Sequence, residues 1–273
     1  MAYSIDIVVG MVRKRINQRD KNFMACFVGD TGSGKSSGAL AFAERVDPTF
    51  TDACRVVFTP ADFLRTIIEM SKGQAVIFDE AGVGISSREW QKIQVKLVGF
   101  VAQLFRHKNL CVIFTVPSMG FVEKQTRSLS HAVIHFKLID VVQKLAIAKW
   151  NVVKHNPITG WTEYDTLKVS GGNGDVIVDP VYFPQPSEKL WTKYLRMKES
   201  YANNFYAEAL AEATGEEKLD SRSVRKMKNQ IKAGFNCINY LLRTHNRKEV
   251  ANIAGASVNT IHNWMKEYED MED

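Results

Sequence analysis

The chain has 273 residues, 45% of them hydrophobic and 24% charged, with a net charge of +6. That length accommodates one α/β domain of about 180 residues and a small appendage. No apolar stretch reaches the roughly 18 to 20 residues that a membrane-spanning helix requires, and the N-terminus, with Asp6 early, does not read as a cleaved leader; a cytoplasmic protein is expected. Of the four cysteines, Cys26, Cys54 and Cys111 lie in or beside strand-like runs and Cys237 in a helix-like one. None has the C-x-x-C spacing of a metal or redox site, so buried reduced thiols are expected.

In chain order, the first element is an amphipathic segment with Ile5, Val8, Val9, Val12 and Ile16 on one stripe and Arg13, Lys14, Arg15 and Arg19 beside it. Packing on a sheet is the commoner use of such a stripe, and lying on a membrane surface the alternative. A short apolar run, 23–28, reads as a buried strand. Gly29-Asp30-Thr31-Gly32-Ser33-Gly34-Lys35-Ser36 follows, and then a helical run from Ser37 to Glu44. Strand, glycine loop and helix is the setting in which G-x-x-x-x-G-K-S cradles phosphates. Backbone N–H groups of the loop and the helix N-terminus face an anion. Lys35 is expected to reach the β- and γ-phosphates and the Ser36 hydroxyl to ligate Mg2+.

Residues 55–59 read as a second strand and 61–71 as a helix. The run 74–80 is apolar and ends in Asp79 and Glu80, the form of a parallel strand buried on both faces. Asp79 at its end suits the magnesium shell, and Glu80 suits a general base toward water. The pair points to ATP as the cofactor-substrate. A loop at 82–87, a long helix at 88–105 and a strand at 110–115 complete an alternating pattern. Alternation of this kind predicts a mostly parallel sheet with ligands at the carboxyl ends of its strands.

From 132 the pattern becomes a meander, with antiparallel strands at 132–138, 145–154 and 161–169; the turn 156–160 joins the last two. A loop rich in Gly and Pro at 170–186 is expected to close the domain, and 191–213 reads as a helix. Residues 221–248 hold eight Lys or Arg and no acid, a one-signed stretch suited to a phosphate backbone. Residues 248–264 have helix-turn-helix spacing, with small Ala251 at the crossing, Gly255 at the turn, and Val258, Ile261 and Trp264 inward. Arg222, Arg225, Lys226 and Lys228 are then candidates for phosphate contacts. Ser257, Asn259, Thr260 and Asn263 are candidates for phosphates or base edges. A small bundle for oligomerisation or partner docking is the alternative. The expected domains are 1–186, an ATPase domain; 187–219, a helical linker; and 220–273, a DNA-binding helix-turn-helix.

Phe78-Asp79-Glu80-Ala81-Gly82-Val83-Gly84, Arg106-His107-Lys108-Asn109 and the stretch from Val112 to Leu129 together carry a family resemblance. The chain resembles the FtsK/HerA-type motor ATPases over residues 22–140. It is closest in flavour to their virus- and plasmid-encoded branch, which includes zonula-occludens-toxin-like and virion-packaging ATPases. The resemblance implies a P-loop NTPase with a RecA-like sheet. It also implies a homo-oligomeric ring, usually a hexamer, that moves DNA with nucleotide sites between subunits. In that family a Gln commonly follows the Thr at the end of the fourth core strand and senses the γ-phosphate. Here Val116 follows Thr115, so Thr115 or Ser118 is left to do the sensing. Arg106, Arg127 and Arg88 are candidates for a trans-acting arginine. A nucleotide-switch ATPase (helicase loader or partition factor) and a DNA-binding regulator are the alternative readings.

Overall fold

A computed structural model describes residues 3–79, 108–122, 124–171, 174–214 and 248–250. The elements run β1 (Tyr3–Ser4), α1 (Ile5–Asn17), β2 (Phe23–Val28), α2 (Lys35–Val46), a 3-10 turn Ala53–Arg55, β3 (Val56–Val57), α3 (Pro60–Glu69) and β4 (Ala75–Phe78). They continue with β5 (Cys111–Val116), a 3-10 turn Met119–Phe121, α4 (Lys124–Leu129), β6 (Ala132–Asp140), β7 (Leu145–His155) and β8 (Thr162–Thr166). The remainder are β9 (Lys168–Gly171), β10 (Gly174–Ile177), β11 (Val181–Pro184) and α5 (Glu188–Thr214). Two compact units divide the chain, Met1–Phe205 and Tyr206–Asp273. The expected strand end and helix between Glu80 and Arg106, and the helix-turn-helix with its basic stretch, lie outside the described residues.

Among the described residues the main sheet runs β1-β11-β7-β6-β2-β5-β4-β3, with β8 on the edge of β7 beyond β11. From β6 through β2, β5 and β4 to β3 every pairing is parallel. The other side is mixed, with β7 antiparallel to β6, β8 and β11. Strands β2, β4 and β5 are buried at every position. Their side chains alternate between two apolar layers, as a period of two demands. Phe23, Ala25, Phe27, Ile77 and Ile113 face the layer shared with α1, α2 and Leu190 of α5. Met24, Cys26, Val76, Phe78 and Val112 face the layer shared with Phe63 and Ile67 of α3.

The N-terminal stripe packs as the sheet-covering reading expects: Ile5, Val8, Val9, Val12 and Ile16 of α1 are all buried. Three expectations need correction. The strand at 55–59 shrinks to two residues, because Asp52 caps the 3-10 turn before it through Cys54 N–H and Thr59 caps α3 after it through Asp62 N–H. Cys54 is therefore exposed, unlike Cys26 and Cys111. The segment 170–186 is not a plain loop. It completes the β9–β10 hairpin and adds β11 to the main sheet, with Val181 and Phe183 buried. The strand at 132–138 is antiparallel to β7 but also parallel to β2, so it belongs to the core as much as to the meander. No described helix is long and apolar enough to cross a membrane.

Candidate functional site

The loop 29–34 leaves the carboxyl end of β2 and turns directly into α2. Gly34 caps that helix at φ 94°, a left-handed backbone that side chains rarely adopt, and a Cβ there would lie 2.8 Å from Ala146 Cβ. The loop closes through Ser33 N–H to the Asp30 carbonyl at 3.1 Å and is tied to the end of β5 by Gly29 N–H to the Pro117 carbonyl at 3.3 Å. Lys35 Nζ donates to the carbonyls of Gly29 and Asp30, both at 2.7 Å. The first-turn amides of a helix lack intrahelical acceptors, so the start of α2 presents donors and a positive dipole end.

Asp79 follows β4, and its side chain is fully buried. Strand order explains what reaches it. Because β5 lies between β2 and β4, its last residues stand between the glycine loop and the carboxylate. Thr115 Oγ1 donates to Asp79 Oδ1 at 2.6 Å and Ser36 Oγ donates to the same oxygen at 2.9 Å. The other oxygen, Oδ2, accepts from the Tyr194 hydroxyl at 2.6 Å, and Lys198 Nζ stands 3.7 Å from it. Three hydroxyls from three elements thus converge on one carboxylate. A cavity of about 590 Å³ opens over this cluster; Thr31, Gly32, Gly34, Lys35, Ser36 and Ser37 line one side. Thr115, Val116 and Pro117, Lys144 of the β6–β7 turn, and Trp191, Tyr194 and Lys198 of α5 are among the other residues that line it.

The expected loop, Ser36 and Asp79 (the pair expected to hold magnesium), and Thr115 therefore come together. Ser118 Oγ instead accepts from Gly120 N–H at 3.2 Å and caps its own turn. Arg127 donates through Nε to the Val122 carbonyl at 2.8 Å and is not among the residues that line the cavity. Glu80, Arg88 and Arg106 lie outside the described residues, as do Arg222, Arg225, Lys226, Lys228, Ser257, Asn259, Thr260 and Asn263. Tyr194, Lys198 and Lys144 are the additions that sequence reasoning missed. Along α5 the spacing of Trp191, Tyr194, Leu195 and Lys198 is that of any packing stripe.

The donor set fits a magnesium nucleotide. Mg2+ takes hard oxygens and is usually held by one or two protein groups plus phosphates and water; Ser36 and Asp79 supply such a pair at the mouth of an anion-ready loop. Ser33 Oγ is buried inside that loop with no partner among the described residues, and a Cβ on Gly29 would fall 2.8 Å from it and 2.4 Å from the Phe136 carbonyl. The backbone there has no room for a side chain.

No family model matches the chain, and no curated protein does. Among solved structures, the N-terminal domain of zonular occludens toxin from Neisseria meningitidis aligns with 57% of this chain and 100% of its own length, at 13% identity and a TM-score of 0.32. The likeness is distant. It assigns neither an activity nor a partner to this chain.

Proposed function

We propose that this chain is a P-loop ATPase that couples Mg-ATP hydrolysis to DNA movement as a homo-oligomeric ring. The observation that carries the nucleotide half is the convergence of Ser36 and Thr115 on buried Asp79, directly beside the Gly29–Lys35 loop and the start of α2. In this reading Gly29, Asp30, Thr31, Gly32, Ser33 and Gly34 shape the cradle. Lys35 and Ser37 meet phosphate oxygens, and Ser36 and Asp79 hold the metal. When bound, magnesium would neutralise charge on the phosphates. Thr115 fixes the carboxylate and stands where a terminal phosphate is sensed. Glu80, next along the chain, is the proposed base that takes the proton from the attacking water.

The DNA half rests on the sequence. It is supported by the eight cations and no acids of 221–248, by the helix-turn-helix spacing that follows, and by the motor-ATPase resemblance. Arg106 and Arg127 are the proposed trans-acting arginines.

Two variants test the chemistry. Lys35→Ala is expected to lose Mg-ATP binding in calorimetry. Glu80→Gln is expected to keep it while turnover falls by about 10²- to 10⁴-fold. Undiminished turnover by Glu80→Gln would move the base elsewhere. Mass photometry with ATP and duplex DNA tests the ring: a hexamer supports the motor, and a persistent monomer or dimer supports a non-motor nucleotide switch instead.

A further inference from the structure

Helix α5 contributes to the site in a way that neither the loop motif nor the acidic strand anticipates. Its entry is tied to the phosphate-loop helix, where Ser187 N–H donates to Glu44 Oε2 at 3.0 Å. Two turns on, Tyr194 is 2% exposed, its ring stacked on Trp191 at 5.4 Å and its hydroxyl on Asp79 Oδ2 at 2.6 Å. One further turn brings Lys198 to 3.7 Å from the same oxygen, with its side chain one-third exposed and lining the cavity. Tyr201 then stacks on Phe58 at 4.7 Å, just past β3. The helix is thus held before, at and after the site.

We propose that α5 completes the metal–phosphate site from within the same chain, with Tyr194 as the positioning residue for Asp79 and Lys198 as a cation for the terminal phosphate of a nucleoside triphosphate. The inference rests on the nucleotide-site reading above. Its chemistry follows from the two oxygens of Asp79. Oδ1 already serves Ser36 and Thr115, so the rotation of the carboxylate is set by what holds Oδ2. A neutral phenol holds that oxygen at 2.6 Å without adding charge of its own, while Lys198 pairs with it from 3.7 Å. Outer-shell donors of this kind orient ligating carboxylates and tune metal affinity. Lys198 has the complementary property. Its ammonium is a mobile point charge on a flexible stem, close enough to pair with Asp79 and exposed to the space that polyphosphate would enter. A diphosphate, which lacks the outermost group, gives it less to bind.

The test uses the full chain and direct binding rather than turnover. Mg2+ titrations of ATP binding are compared for wild type, Tyr194→Phe, Lys198→Gln and Lys198→Arg, with thermal unfolding alongside. Tyr194→Phe keeps the ring stack and is expected to raise the Mg2+ midpoint about 10-fold, within the range for missing outer-shell partners, while metal-free ATP binding stays unchanged. Lys198→Gln is expected to weaken Mg-ATP at least about fivefold more than Mg-ADP, a gap that the charge-preserving Lys198→Arg narrows. An unchanged Mg2+ midpoint in folded Tyr194→Phe, or equal losses for ATP and ADP in Lys198→Gln, overturns the assignment of that residue. Should Tyr194→Phe fail to fold, the ATP-to-ADP comparison in Lys198→Gln decides the proposal alone. The underlying reading fails separately: it falls if wild type binds no nucleotide, or if Lys35→Ala binds as wild type does.

Discussion

His131 shows how a single ring can set the acid limit of the fold. Its Nδ1 accepts from Met24 N–H at 3.0 Å, and the ring stacks on Phe23 at 6.0 Å. Burial, with the nearby Arg15 charge second, pushes its pKa down to about 4 from 6.5. Between those values the unfolded chain takes up a proton that the folded chain refuses. The contribution is therefore fully present above about pH 6.5 and is lost as pH falls toward about 4, a change on the order of 3 kcal/mol. Urea unfolding at steps across that window should show stability falling with pH. His131→Asn keeps an acceptor near the Nδ1 position and removes the titration, so its profile should be flatter across the same window. Equal slopes for both proteins would place the titrating group elsewhere. Cys26 is kept inert by the same physics, since burial raises its thiol to about 11.

At the scale of elements, two glycines in helices should respond to the same substitution with opposite signs. Gly10 lies on the outer face of α1, and a Cβ there would meet nothing within 4 Å among the described residues. Gly10→Ala should then stabilise by up to ~1 kcal/mol through helix propensity. Gly38 sits in α2 where the helix presses on the sheet, and a Cβ would come within 2.4 Å of the Phe136 ring. That ring cannot move aside cheaply, being packed against Phe27 at 5.3 Å and Phe183 at 4.9 Å. Gly38→Ala should cost ~1–3 kcal/mol despite its better propensity. Denaturant midpoints of the two variants measure both signs. The same contrast explains which elements were legible in sequence. Continuous apolar runs made β2, β4 and β5 readable to within a residue or two, because burial on both faces leaves little ambiguity. Strand β11 was hidden: its four residues, Val181–Pro184, follow one proline and end on another, which satisfies the rules for a loop, and only pairing with β7 and β1 reveals the strand. In the site, Ser36 and Asp79 were legible because their spacing to glycine and to an apolar strand is local. Tyr194 was not, since the carboxylate it serves lies 115 residues away.

For the molecule as a whole, the proposed ring and the proposed DNA interface make separate demands. If Arg106 or Arg127 acts in trans, mixing an Arg→Ala variant with Glu80→Gln should restore part of the ATPase activity. Intact Glu80 and intact arginine then meet at mixed interfaces, and such arginines are worth ~10³ to 10⁵ in rate. No rescue in verified mixed assemblies would argue for sites completed within one subunit. The C-terminal region is tested through salt. If residues 220–273 bind duplex DNA, the affinity of the full chain should fall linearly on a log–log plot, by about 0.9 in slope for each phosphate neutralised. Replacing Arg222, Arg225, Lys226 and Lys228 together by Ala should flatten that slope and weaken all DNA sequences alike, because bonds to the backbone carry no sequence information. Changing Asn259 or Asn263 should leave the slope nearly intact and instead relax sequence preference by roughly 1–3 kcal/mol for each base no longer read. The two signatures separate charge from readout. An unchanged salt slope in the fourfold variant would remove these residues from the DNA interface and leave 220–273 as a segment for protein docking.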